Sequence, residues 1–249
     1  KTIAALGVAT PRVLRAGAEP RGQLRVLVLG VGGGALPAWF TAAGANVDAV
    51  ELDAAVLAAA TGAMGLPTAA VRLAEGAEAC AADAAAAATK LNHAENAIGE
   101  LRVYCCDGAS FVEAAASARC CYDVVVLDAF DGHSRMPPVF RSDRFSNALG
   151  RICQGGCVIG NVADVLKQQD ELAVPRVVAT VDAWCAGFSD RVSAWSVRVL
   201  GSDNLVVVLS EGAAPDLARI EAAADAAARE GVFAFDPVRR VRHGYRVLR

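Results

Sequence analysis

RVLVLGVGGGALPAWFTAAGANVDAVELD, residues 25–53, runs from an apolar, β-branched segment through a cluster of glycines and back to an apolar segment that ends in acids. Val26, Leu27, Val28 and Leu29 show no alternation, as expected of a parallel strand covered on both faces. Gly30, Gly32, Gly33 and Gly34 follow. They let the backbone turn with positive φ and let a ligand approach without meeting a Cβ. A helix-compatible segment starts near Ala35 and closes at Gly44. The second apolar run, Val47 to Val50, leads to Glu51 and Asp53. Strand, glycine turn, helix, strand, acid is an arrangement that seats a nucleoside-bearing ligand over the strand ends of an open parallel sheet.

The helix after the glycines turns its unpaired N–H groups, the positive end, toward such a ligand. A carboxylate at the tip of the second strand can accept both hydrogen bonds of a ribose diol, with Glu51 the first candidate and Asp53 the second. The spacing speaks to which cofactor. A dinucleotide site prefers G-x-G-x-x-G, whereas here the third glycine comes early and Ala35 and Leu36 follow. G-x-G-G-G fits S-adenosylmethionine better than NAD.

Composition bounds the alternatives. At 249 residues and 55% hydrophobic, the chain can bury a sizeable core. A net charge of −3 gives no broad electrostatic case for nucleic acid or membrane binding. No apolar run is long enough to span a bilayer, and no signal-peptide pattern is seen. The eight cysteines include the adjacent pairs Cys105–Cys106 and Cys120–Cys121, and no C-x-x-C. With only His93, His133 and His243 as imidazoles, zinc spacing is missing and no metal is expected. Buried thiols in a reducing cytoplasm are the expectation.

Along the chain, residues 1–14 have helical character interrupted by Pro11, and 15–23 read as a linker. Residues 54–64 form a helix ended by Gly65 and Pro67. Residues 68–100 look like an insertion, because connections in compact α/β units are short. The alanine-rich part suggests a surface helix or partial disorder, with His93 solvated. A third strand, Arg102 to Cys105, ends at Asp107-Gly108, and a helix carries Phe111, Val112 and Ala115. A fourth strand, Tyr122 to Leu127, ends at Asp128. A loop with Asp131 and Pro137-Pro138 leads to a helix with Phe145, Leu149 and Ile152.

Gly155-Gly156 turns into a fifth strand, Cys157 to Val162. A helix with Val174, Val177, Val178, Val181, Trp184, Cys185 and Phe188 follows. Trp195, Val197 and Val199 alternate as a strand, and residues 205–209 return as its hairpin partner. Pro215 can open a last helix bearing Leu217, Ile220, Ala224 and Ala227. After Phe235 a basic tail with Arg239, Arg240, Arg242, Arg246 and Arg249 is expected to be solvated.

Alternating strands and helices predict an α/β fold: a Rossmann-like, seven-stranded, mostly parallel sheet with helices on both faces. Residues 1–249 are read as one domain. Because the chain starts at Lys1 rather than Met, an upstream β segment of the parent protein would lie outside it. Glu51, Asp107 and Asp128 stand at three successive strand tips, so their carboxylates should converge on one cleft. Taken singly, Asp53 and Asp107 also suit helix N-caps.

GVGGGALPAWF, VDAVELD, CCDGASF, YDVVVLDAFDG, the Pro-Pro loop and GGCVIGNV together resemble the class I S-adenosylmethionine-dependent methyltransferases, in their spermidine synthase-like branch. The likeness is nearest to the C-terminal methyltransferase domain of the eukaryotic elongation-factor methyltransferase, and it covers residues 25–209. It implies that Gly30, Gly32 and Gly34 run beside the methionine part of the cofactor. It also implies that Glu51, with Asp53 as its reserve, holds the ribose hydroxyls and that Leu52 lies against the adenine. Asp107 would accept from the adenine amino group, Gly108 would pack by the ring, and Asp128, with Ala129, would face the sulfonium end and the cofactor's amino group. Asp128 and Asp131 are the implied catalytic pair.

Two chemistries share this scaffold, methyl transfer from S-adenosylmethionine and aminopropyl transfer from its decarboxylated form. The Asp128-Ala-Phe-Asp131 spacing favours the second. Gly33, where the synthases carry Asp, favours the first. So does a cationic cluster (His133, Arg135, Arg141, Arg144) that would repel a diamine. The expectation is methyl transfer to an amine of a protein, with a small amine as the other acceptor class and a homodimer compatible. The alternatives are a polyamine aminopropyltransferase and a non-catalytic scaffold.

Overall fold

The computed structural model describes residues 1–16, 22–91, 99–131, 136–162, 173–188, 191–201 and 204–248. Thr2–Leu14 forms α1, Arg25–Leu29 β1, Ala35–Ala42 α2, Asn46–Glu51 β2 and Ala54–Ala63 α3. After a 3-10 turn at Thr68–Ala70 come α4 (Ala77–Leu91), β3 (Leu101–Cys105), α5 (Gly108–Ser117) and β4 (Val124–Leu127). A 3-10 turn at Pro138–Arg141 precedes α6 (Asp143–Ile152), β5 (Cys157–Val162), α7 (Ala173–Cys185), β6 (Val192–Arg198) and β7 (Leu205–Glu211). The chain closes with α8 (Leu217–Arg229), α9 (Pro237–Arg242) and β8 (Arg246–Val247).

The strands form one sheet in the order β3-β2-β1-β4-β5-β7-β6-β8. The first five are mutually parallel, and β7, β6 and β8 pair antiparallel. The period of two along β1 sorts its side chains between two cores. Leu27 and Leu29 join α4, α5, α6 and α7 on one face, while Val26 and Val28 join α1, α2, α3, α8 and α9 on the other. Both faces are covered, which is why these strands are apolar throughout. Five of the eight cysteines are buried in these layers, and burial pushes the Cys153 and Cys157 thiols up, away from the reactive thiolate. Among the described residues no helix is long and apolar enough to cross a membrane.

Several sequence expectations need correction. The sheet has an eighth strand: Ser196 and Trp195 of β6 pair with Arg246 and Val247. The tail is therefore folded onto the sheet and α8, although Arg239, Arg242 and Arg246 stay exposed and Arg249 lies outside the described residues. Asp236 caps α9, Val241 is fully buried, and the Tyr245 hydroxyl donates to the Pro215 carbonyl at 2.6 Å. Arg242 pairs with Glu221 of α8, so the arginines screen an apolar underside formed by Val238, Val241 and Tyr245. Pro215 does not open α8; Asp216 caps it and the helix begins at Leu217. Pro11 lies within α1, which continues to Leu14 because the helix is buried on most sides, against α8, α9 and β5. Packing there outweighs one missing intrahelical hydrogen bond.

Residues 68–91 are ordered against the body of the fold. Val71 makes a parallel bridge to Val103 at the sheet edge, and α4 sets Cys80, Ala81 and Ala84 against α5. His93 lies outside the described residues.

Within the sheet, Asp48 and Arg102 face each other across β2 and β3 and are almost wholly buried. Arg102 Nε donates to Asp48 Oδ1 at 2.7 Å, and the Tyr122 hydroxyl donates to Asp48 Oδ2 at 2.9 Å. Arg25 lies over the Tyr122 ring.

Candidate active site

Five parallel strands end on one edge, and a cavity of about 580 Å³ opens there. Four of them, β1 to β4, contribute residues at their ends or just beyond. Gly30 follows β1, with φ +92° and its N–H donated to Val50 O at 2.8 Å. A Cβ at Gly30 would stand 2.5 Å from the Asp128 carbonyl oxygen, so only glycine lets these two strand tips lie side by side. Gly32, also at positive φ, lines the cavity beside it. Gly34 does not line the cavity. It sits at the N-cap of α2 with φ +76°, where a Cβ would run into Leu66.

Glu51 closes β2 and bends back over the glycine turn. Its Oε2 accepts from Val31 N at 3.0 Å and from Gly32 N at 3.4 Å, and its Oε1 accepts from Asp53 N at 3.1 Å. A carboxylate has about four lone-pair sites, so Glu51 retains acceptor capacity on the cavity side. Asp53 and Asp107 both line the cavity and both cap helices: Asp53 accepts from Ala55 N at 2.7 Å, and Asp107 from Ser110 N at 2.8 Å. Their capping duty explains their position at the strand ends without a ligand. It also leaves each with a second carboxylate oxygen that these capping bonds do not use.

Leu52 is 69% exposed and, with Val56 of α3, gives one side of the cavity an apolar wall. Gly108 and Phe140 form another part, the Phe140 ring lying 3.6 Å from where a Gly108 Cβ would be. Phe140 is held by distant parts of the chain. Trp184 Nε1 donates to the Phe140 carbonyl at 2.7 Å, and the Phe145 ring meets the Phe140 ring edge-on at 5.0 Å between centroids. Sequence reasoning missed Phe140. It stands two residues after the Pro137-Pro138 pair, which by itself does not single it out.

Asp128, Ala129, Phe130 and Asp131 continue the lining beyond β4. Asp128 Oδ1 accepts from Asn161 Nδ2 at 2.8 Å, its neighbour across the β4–β5 pairing. In the sequence Asn161 carries no mark beyond its place in the fifth strand. The cationic cluster expected here is not assembled by the residues described. Arg144 pairs with Glu113 of α5 at 2.6 Å, and neither it nor the exposed Arg141 lines the cavity. His133 and Arg135 lie outside the described residues. The cavity thus collects five carboxylate residues, Glu51, Asp53, Asp107, Asp128 and Asp131, and no Lys, Arg or His among the described residues lines it. Nor does any group of three or more His, Cys, Asp and Glu among them suit a metal ion.

No protein-family model matches the sequence, and no curated protein matches it. Solved structures do. Human methyltransferase-like protein 13, in complex with SAH, matches with a TM-score of 0.61 at 21% identity, over 92% of this chain and 89% of that one. A probable spermidine synthase from Corynebacterium glutamicum matches with a TM-score of 0.55 at 14% identity, over 90% of this chain and 70% of that one.

The chain has the class I methyltransferase fold. At these identities the likeness is one of architecture, and it agrees with the strand order and the glycine turn found here. In that fold the predicted residues Gly30, Gly32, Glu51, Leu52, Asp53, Asp107, Gly108, Asp128, Ala129 and Asp131 share one cavity, and Gly34 stands apart.

Proposed function

We propose that this protein is an S-adenosylmethionine-dependent transferase that methylates an amine, with a protein side chain as acceptor and the cytoplasm as its compartment. The observation that carries the reading is the charge of the cavity. Five acids and no described basic residue surround it, which suits a cationic ligand and disfavours the pyrophosphate of a dinucleotide. S-adenosylmethionine brings a sulfonium and an ammonium. Its adenine matches the apolar wall of Leu52 and Val56 facing Gly108 and Phe140, and Glu51 suits its ribose diol.

When bound, the cofactor supplies a methyl carbon activated by S⁺. The chain's residues align and deprotonate. Asp128 and Asp131 would hold and orient the acceptor nitrogen beside that carbon, and a carboxylate of the pair would accept the proton that the nitrogen sheds. Alignment contributes most of the rate, with general-base assistance beside it.

A second reading, aminopropyl transfer to a diamine, draws on Asp131 lining the cavity with Asp128 and on the absence of Arg141 and Arg144 from it. Gly33, with no side chain where a synthase would carry Asp, speaks for methyl transfer. Calorimetric titration with S-adenosylmethionine and with its decarboxylated form separates the two. Tighter binding of the parent compound is expected. Preference for the decarboxylated form would reassign the reaction, and no binding of either would leave a non-catalytic scaffold.

A further inference from the structure

Resting on that reading of the cavity, we infer that Asn161 is the positioning residue that sets Asp128 to receive the N–H of a charged amine. The two residues are cross-strand neighbours, because β4 and β5 pair Leu127 with Gly160 and the next position on each strand is Asp128 and Asn161. Asn161 is partly buried and Asp128 lines the cavity.

The Asn161 amide nitrogen can only donate, so Asp128 Oδ1 is the acceptor in their 2.8 Å bond and cannot carry an acidic proton there. The bond also removes one rotational freedom from the carboxylate. Gly30 bears on the backbone of the same residue from the other side. Asp128 is thereby fixed at both its main chain and its side chain. Its remaining acceptor sites are available to an amine cation in the cavity.

Asn161 itself is fixed from below. The residue before it, Gly160, lies under the Trp184 ring with no room for a Cβ, and Trp184 is anchored in turn to the Phe140 carbonyl. The side of the cavity near Asp128 and the aromatic wall near Phe140 are therefore linked through one tryptophan. Two nitrogens could be the partner of Asp128, the α-ammonium of the cofactor and the acceptor amine. Both are N–H donors with positive charge, and the same placement serves either.

The test compares wild type with Asn161→Leu, similar in size and unable to hydrogen-bond, and with Asn161→Ala in case the first does not fold. Calorimetry is run with S-adenosylhomocysteine and with 5′-methylthioadenosine, which shares the nucleoside and lacks the α-amino and carboxylate groups. If Asp128 meets the cofactor's ammonium, S-adenosylhomocysteine is expected to weaken about tenfold, the scale of one charge-assisted hydrogen bond, while methylthioadenosine is unchanged.

A second arm uses protein saturated with methylthioadenosine. Ligand-observed NMR then follows butylamine, which carries the amine end common to a lysine side chain and a diamine. Loss confined to butylamine assigns the position to the acceptor. Equal weakening of both nucleosides would make Asn161 merely structural, and unchanged binding in both arms would leave it without this role; either overturns the inference. Failure of wild type to bind either nucleoside would instead sink the reading of the cavity on which the inference stands.

Discussion

Arg102 is the side chain whose loss should be felt most in stability. Burial alone would lower its guanidinium, but Asp48, aided by Glu100, outweighs that and holds it raised. Both side chains of the Arg102–Asp48 pair are 1% exposed. Arg102→Met strands a buried carboxylate, and the expected cost is about 3–5 kcal/mol by chemical denaturation. A cost below about 1 kcal/mol would mean that Tyr122 and Arg25 alone satisfy Asp48. Gly30→Ala is expected to act differently. With φ +92° and the Asp128 carbonyl 2.5 Å from the new methyl, it should cost more than about 1 kcal/mol and displace Asp128. Nucleoside affinity measured on the folded fraction should fall with it. Unaltered affinity would show that Gly30 serves folding only.

At the scale of elements, α7 holds the 3-10 turn Pro138–Arg141 in place through one hydrogen bond. Trp184→Phe removes the donor together with part of the ring that packs over Gly160. The expected loss is about 1–3 kcal/mol for a buried carbonyl left unpaired, read from thermal unfolding together with a weaker nucleoside complex. Full nucleoside affinity in this variant would detach Phe140 from the binding role. These couplings also mark what could be read along the chain. The glycine turn, Glu51, Asp107 and Asp128 were legible because local rules place them: a turn needing positive φ, and an acid at the end of an apolar strand. Phe140 was not, since its place depends on Trp184, 44 residues away. Nor were α9 and β8, where the density of arginines concealed the spacing of Val238, Val241, Tyr245 and Val247. The pairing of Asp48 with Arg102 was hidden too, because charged residues are rarely buried unless a partner from another strand meets them.

For the whole molecule, acid should loosen the outer helices. Hydrogen bonds from Arg242 and from Arg12 hold the Glu221 and Glu230 carboxyls below their ordinary range. These pairs fasten α9 to α8 and α1 to the end of α8. A depressed folded value stabilises above the unfolded carboxyl range, about pH 4.3, and that contribution disappears as the pH falls through the lower folded value. Thermal unfolding followed from pH 7 to pH 3 should show a decline that is shallower in Glu221→Gln with Glu230→Gln. An unchanged slope would assign the acid sensitivity to other groups. Because both pairs sit on the surface, the effect is expected to be modest and to shrink in high salt.

Sheet, helices and caps together present one acid-lined cavity at the strand tips, and a crystal structure of the protein with S-adenosylhomocysteine tests that most directly. The nucleoside is expected with its ribose hydroxyls on Glu51, its adenine between Leu52 and the Gly108–Phe140 side, and its sulfur toward Asp128. A ligand bound elsewhere, or a ribose turned away while Glu51 stays closed on the N–H groups of Val31 and Gly32, would contradict the account.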